Sequence, residues 1–167
     1  MKKMNTTLLF IAQKLFLLIP ETRGFAFKRF LLRLAGASVG KNVRICSSAR
    51  IIGNSMLSIG DNTWIGFDNL ILAFAPITIG NDVNIAPRCY IGTGTHRIDK
   101  EGPSIAGKGE NYPIVIEDGV WICANVVLLP GAHIGAKSIV APGAVVKTFV
   151  GSLELVGGVP AKTIKNI

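Results

Sequence analysis

Aliphatic residues return at every sixth position along most of this chain. From Ile116 the interval is unbroken through Ile122, Leu128, Ile134, Val140 and Val146. Upstream it runs Val39, Ile45, Ile51, Leu57, then restarts as Ile59, Ile65, Ile71 and again as Ile79, Ile85, Ile91. The next residue is often small, as at Gly40, Cys46, Gly60, Gly66, Gly80, Ala86, Gly92, Cys123, Gly135 and Ala141. A six-residue unit fits neither the helical period of about 3.6 nor a heptad, but it suits a short strand followed by a tight corner. Stacking such units puts the aliphatics into a narrow interior column, and the small neighbours let the chain turn. Gly60-Asp61-Asn62, Gly80-Asn81-Asp82 and Pro130-Gly131 supply corner chemistry.

The first residues follow a different pattern. Leu8, Phe10, Ile11, Leu15, Leu18 and Ile19 recur at mixed helical spacing and stop at Pro20. A second stretch, Phe25 to Leu34, sets Phe27, Phe30, Leu31 and Leu34 against Lys28, Arg29 and Arg33. The pattern thus divides the chain into a basic amphipathic helical segment, 1–37, and a repeat unit, 38–167.

Charge sharpens this division. Of the net +8, residues 1–50 supply ten Lys or Arg against the single acid Glu21, whereas residues 51–167 hold eight against nine acids. Neither helical stretch approaches the roughly 20 apolar residues of a membrane span, and Gln13 and Lys14 interrupt the first. Lys14 also breaks the apolar run that a secretory signal would need. Two readings of the segment stay open: an end-cap over the repeat core, or a surface resting on an anionic membrane. Aromatic residues are only 7% of the chain and no nucleic-acid module is present, so nucleic acid is not an expected partner.

With 167 residues, 49% of them hydrophobic, one domain with a regular core of Ile, Leu, Val and Ala is expected. Cys46, Cys89 and Cys123 match neither a zinc site nor a disulfide framework and read as small packing residues in a reducing compartment.

Between Gly92 and Pro113 the hexads stop, and TGTHRIDKEGPSIAGKGENY reads as a long structureless loop, about 92–113. Such a loop in a compact domain is usually functional or disordered, and His96, one of two histidines, argues for function. With an unperturbed pKa of about 6.5, histidine is suited to take a proton at neutral pH. Asp99 is the nearest carboxylate in sequence to hold its other ring nitrogen. No Ser or Cys nucleophile stands with a base beside it.

The run PIVIEDGVWICANVVLLPGAHIGAKSIVAPGAVV, closing in GGVPAKTIK, resembles the hexapeptide-repeat acyltransferases, and among them the sugar, capsule and exopolysaccharide O-acetyltransferases. The resemblance covers about residues 38–165. It implies an all-β fold, a left-handed parallel β-helix preceded by a helical segment. It also implies transfer of an acetyl group from acetyl-CoA to a hydroxyl of a sugar or surface-polysaccharide precursor, with His96 as general base and no metal.

Carried over position by position, the coenzyme would touch Trp121, Ala124, Pro142 and Lys147, with Lys162 and Lys165 near its phosphates and the Ala124 N–H facing the oxyanion. Trp121 reads equally as a packing residue. Asp68, Asn69 and Asp99 are candidates for contact with the carbohydrate acceptor, and His133 reads as a wall or corner residue. A homotrimer in the cytoplasm, with room for peripheral contact on the inner face of the membrane, completes the implied picture.

Four positions depart from the family pattern. Cys123 replaces a glycine, Pro142 an alanine or glycine, and Lys147 a threonine, while Gly66 stands where galactoside acetyltransferases carry an acceptor asparagine.

The alternatives are N-acetylation of a nucleotide-linked amino sugar and a non-enzymatic hexapeptide-repeat scaffold. A carbonic anhydrase on this repeat needs three histidines, and the chain has two.

Overall fold

The structure, a computed structural model, describes residues 2–167. Two helices come first, α1 (Thr6–Phe16) and α2 (Phe25–Leu34), and six coils of β-structure follow. The first coil is β1 (Ser38–Val39), β2 (Arg44–Ile45) and β3 (Arg50–Ile52); the second is β4 (Leu57–Ile59), β5 (Trp64–Ile65) and β6 (Leu70–Leu72). The third holds β7 (Ile77–Ile79), β8 (Asn84–Ile85) and β9 (Tyr90–Gly92), and from it departs a pair, β10 (Gly94–Ile98) and β11 (Ala106–Asn111). The fourth coil is β12 (Ile114–Ile116), β13 (Trp121–Ile122) and β14 (Val127–Leu128); the fifth is β15 (His133–Ile134), β16 (Ile139–Val140) and β17 (Val145–Val146). The last is β18 (Phe149–Val150), β19 (Glu154–Gly157) and β20 (Lys162–Asn166).

Within the coils each strand except β20 pairs in parallel with its counterpart one coil on, giving three faces, β1-β4-β7-β12-β15-β18, β2-β5-β8-β13-β16-β19 and β17-β14-β9-β6-β3, and β20 adds antiparallel to the edge of the second. This is a parallel β-helix, and its register makes the sequence period physical. Val39, Ile59, Ile79, Ile116, Ile134 and Val150 stand in one interior column. Ile45, Ile65, Ile85, Ile122, Val140 and Val156 form a second column, and Ile51, Ile71, Ile91, Leu128 and Val146 a third. All are buried.

Coil length explains the restarts. The step from Val39 to Ile59 and from Ile59 to Ile79 is 20 residues, and the surplus pair places Leu57 and Ile77 inside as well. The step from Ile116 to Ile134 is 18, three hexads, and from Ile134 to Val150 it is 16. The corners turn through left-handed backbone at Asn42, Asn62 and Asp82 on one edge and at Asp68, Arg88 and Asn125 on the next. Asn and Asp tolerate this conformation because their short side chains bond nearby backbone. Along the first of these edges the Asp61, Asn81 and Asp118 side chains accept N–H bonds from the preceding coil.

The helices close the open end of the solenoid. Leu9, Ala12 and Phe16 of α1 and Leu31 and Leu32 of α2 join one buried cluster with Ile45 and Ile51. A strand at the end of a stack exposes unpaired backbone groups, and here polar side chains take them. Gln13 accepts from Ile51 N at 2.7 Å and donates to its carbonyl at 2.8 Å. Lys28 Nζ donates to Ile45 O at 3.1 Å and Glu21 O at 2.8 Å, Arg29 to Val43 O at 3.0 Å, and Arg33 to Val39 O at 2.8 Å and Gly40 O at 2.9 Å.

This reverses the amphipathicity expected of the second helix. Lys28 is buried, whereas Phe27, Phe30 and Leu34 are exposed and only Leu31 of the apolar set lies inside. The surface that α2 covers is lined with carbonyl oxygens, so its basic side is the side that docks.

Candidate active site

The segment from Gly92 to Pro113 is not structureless, as the loss of hexads suggested, but an antiparallel hairpin of β10 and β11. Gly94 pairs with Asn111, Thr95 with Glu110, His96 with Gly109 and, after a bulge, Ile98 with Ala106. Every residue of β10 is exposed, so the hairpin stands away from the coils. Its root is anchored: Tyr112 N donates to Thr93 O at 2.9 Å, and the buried Thr93 hydroxyl donates to Leu72 O and accepts from Phe74 and Ala75 N. At the tip, Asp99 Oδ1 accepts the N–H groups of Glu101 and Gly102.

His96 lies 2.8 Å through Nδ1 from the carbonyl oxygen of Gly107. A carbonyl only accepts, so in the neutral ring Nδ1 carries the proton and Nε2 keeps its lone pair. The orienting partner is thus the backbone of Gly107 and not Asp99, whose carboxylate caps the tip turn. Glycine is required at 107, where a Cβ would lie 2.7 Å from that of Asp99. A Cβ at Gly109, the backbone partner of His96, would meet no atom within 4 Å.

Two contacts of the hairpin were missed from sequence. Gly107 is one. The other is the pair Tyr112 Oη and Glu110 Oε2, 2.7 Å apart, in which the carboxylate raises the phenol above its usual range. The alternation GKGEN was their only signal, and it carries no hydrophobic period.

Of the residues expected to meet the coenzyme, Trp121 is half-exposed on the second face, in a row that continues through Ile139 and Leu155 to Lys165. Lys162 lies opposite Gly157 on the same terminal pair. Ala124 follows at the corner where the second face meets the third. Its carbonyl accepts from Gly143 N at 3.0 Å, beside exposed Pro142, and among the described residues its N–H has no hydrogen-bond partner. Trp121, Ala124, Pro142, Lys162 and Lys165 therefore share one side of the solenoid.

Lys147 does not join them. It follows β17 at the corner between the third and first faces, the corner from which the hairpin departs. Within one chain, His96 and Ala124 thus leave the third face at opposite edges, with β14 and the Asn125 corner between Ala124 and Leu129.

Among the acceptor candidates, Asp68 is exposed at a corner with φ 53. Asn69, expected to face the acceptor, is instead buried: its Nδ2 donates to Gly66 O at 2.8 Å and its Oδ1 accepts from Cys89 N at 2.9 Å, so both ends of its amide are bonded inside the solenoid. An amide meets no penalty in the interior when the backbone satisfies it.

His133 lies on the outer side of the first face, its Nε2 2.7 Å from Glu117 Oε1 and its ring edge-on to Phe149. That contact holds the Glu117 carboxyl below the usual range, aided by Ala136 N–H. Cys46, Cys89 and Cys123 are free and buried. Among the described residues no group of three or more His, Cys, Asp or Glu is placed to hold a metal.

The chain has known counterparts. The family "Bacterial transferase hexapeptide (six repeats)" matches residues 113–148. The chain is 33% identical over 142 residues to the "Putative colanic acid biosynthesis acetyltransferase WcaF" of Escherichia coli strain K12, covering 85% of this chain and 76% of that protein. It is 31% identical over 139 residues to the galactoside O-acetyltransferase of the same strain, covering 82% of this chain and 67% of the relative. Among solved structures, a hexapeptide-repeat acetyltransferase of Vibrio cholerae, in complex with acetyl coenzyme A, superimposes with a TM-score of 0.69 at 34% identity, covering 96% of this chain and 87% of that one. The chain belongs to the hexapeptide-repeat acetyltransferases.

Proposed function

We propose that this chain moves an acetyl group from acetyl-CoA to a hydroxyl of a sugar or surface-polysaccharide precursor, with His96 as general base. One observation carries the reading: Nδ1 of His96 is held by the Gly107 carbonyl, which leaves Nε2 to take a proton. The donor is supported by the acetyl-CoA complex of the Vibrio relative, and the acceptor class by the colanic acid and galactoside relatives.

With both substrates bound, Nε2 removes the hydroxyl proton as the oxygen attacks the thioester carbonyl carbon. Negative charge gathers on the carbonyl oxygen, where the unpaired Ala124 N–H meets it. The C–S bond then breaks, the imidazolium returns its proton to the departing sulfur, and the acetyl ester and free coenzyme A remain. Lys162 and Lys165 offer charge to the coenzyme phosphates, and Trp121 offers a wall. Residues 38–167 form the catalytic unit in this reading and residues 1–37 its closure.

His96 and Ala124 leave opposite edges of one face, so both act on one acyl group when His96 stands beside Ala124 of the partner subunit. A closed homotrimer provides that arrangement. Three free cysteines suit a reducing compartment, and the reading places the enzyme in the cytoplasm.

The test is thiol release from acetyl-CoA against sugars, amino sugars, nucleotide sugars and lipid-linked saccharides, with the native chain beside His96→Ala. Turnover with a hydroxyl acceptor that falls at least about 100-fold in the variant is expected. Equal rates in both proteins would remove His96 from the mechanism. No turnover and no coenzyme A binding would mark a scaffold.

A further inference from the structure

We infer that the outer side of the α1–α2 cap is a docking face for an anionic lipid surface. The two helices turn their buried sides, and most of their polar groups, toward the first coil. Their outward sides are left apolar: Leu18 is 80% exposed, Leu17 65%, Phe10 60% and Phe30 57%, with Ile11, Phe27 and Leu34 also open. Exposed large hydrophobics gathered on one end of a molecule mark an interaction site rather than ordinary surface.

Charge selects the occupant. Lys2, Lys3, Lys14 and Arg23 of the same segment are exposed, and Lys14 Nζ lies 5.3 Å from the centre of the Phe10 ring. The only carboxylate side chain in the first 50 residues, Glu21, is half-buried and accepts from Ser48 N at 3.0 Å. An outward face of Phe and Leu with cations and no free acid complements a bilayer bearing anionic headgroups.

The helices are 11 and 10 residues long, and none among the described residues is long and apolar enough to cross a membrane, so the geometry is that of helices lying in the interface. The face also continues inward, into a cavity of about 500 Å³ between α1 and β3, lined by Leu9, Phe10, Lys14, Leu17, Arg50 and Ile52 among others. Its apolar walls with two cations suit an acyl chain and its phosphate.

The inference does not depend on the acetyl-transfer reading, and its readout is separate. The full chain is mixed with extruded vesicles of phosphatidylcholine alone, or with about 30% phosphatidylglycerol, and cosedimentation is measured at low and high salt. Binding to the anionic vesicles alone is expected, weakened at least about tenfold by high salt and again by the triple variant Phe10→Ser, Leu18→Ser, Phe30→Ser. A second variant, Lys2→Gln, Lys14→Gln, Arg23→Gln, is expected to lose binding without touching the apolar face. Melting temperature and native mass are recorded for each.

A native chain that stays in the supernatant with both vesicle types overturns the inference, as does a serine variant that binds like the native chain. A serine variant whose native mass falls would assign the face to a second copy of this chain and overturn it equally.

Discussion

Nδ1 of His96 and the carbonyl oxygen of Gly107 lie 2.8 Å apart across the two strands of one hairpin, so the geometry of the base depends on a residue with no side chain. A methyl group at 107 would meet Asp99 Cβ at 2.7 Å and Arg97 O at 3.0 Å. Gly107→Ala should therefore shift β11 and misalign the ring. A fall in kcat of about tenfold, with the KM for acetyl-CoA little changed, is the expected result in steady-state kinetics.

The N–H of Ala124 can be removed without rebuilding its corner. The same corner position in the neighbouring coils is Pro87 and Pro142, so the backbone there already accommodates proline. Ala124→Pro should melt within a few degrees of the native chain. If this N–H serves the oxyanion, kcat should drop by about 100- to 1000-fold.

Lys28 is a buried cation held by two carbonyl oxygens and set over the rings of Phe16 and Phe25 at 5.9 and 5.4 Å. Burial lowers its pKa, while Cys46 and Glu21 oppose the shift. Lys28→Ala leaves the Ile45 carbonyl without its donor and opens a void between the helices. Denaturant titration should register a loss of about 2 to 4 kcal/mol.

Burial pushes the Cys46 and Cys89 thiols up to about 11, and their pKa is higher folded than unfolded. The stability they contribute is therefore complete below the ordinary thiol pKa and lost as pH rises through about 11. Native protein at pH 8 should react slowly with an aromatic disulfide reagent, and at full rate once unfolded. Fast release of all three thiols from folded protein would contradict this burial.

Much of the solenoid was legible because its interior is one-dimensional. A column that accepts only one aliphatic per side per coil writes its period directly into the chain, which is why Ile116 to Val146 could be placed by spacing alone. The rest was hidden where backbone, not side chain, sets the pattern. Asn69 looked available because an isolated polar residue gives no sign that Gly66 O and Cys89 N surround it. The β10–β11 hairpin pairs through Gly107 and Gly109, which contribute no hydrophobic alternation. Lys28, Arg29 and Arg33 were set opposite the apolar side of an amphipathic helix, and that they are the side that docks was hidden because carbonyl oxygens of the first coil are invisible in composition. His96 was singled out as a loop histidine; it stands on strand β10, and the partner that fixes its tautomer is a main-chain atom.

A stack of coils has no intrinsic length, since any terminal strand could template another. Gln13, Lys28, Arg29 and Arg33 occupy the hydrogen-bonding groups at one end, and β20 folds back antiparallel against β19 at the other. Strands of another copy therefore meet occupied groups over the first coil and a reversed strand on the second face of the last, which works against end-to-end growth into a fibre.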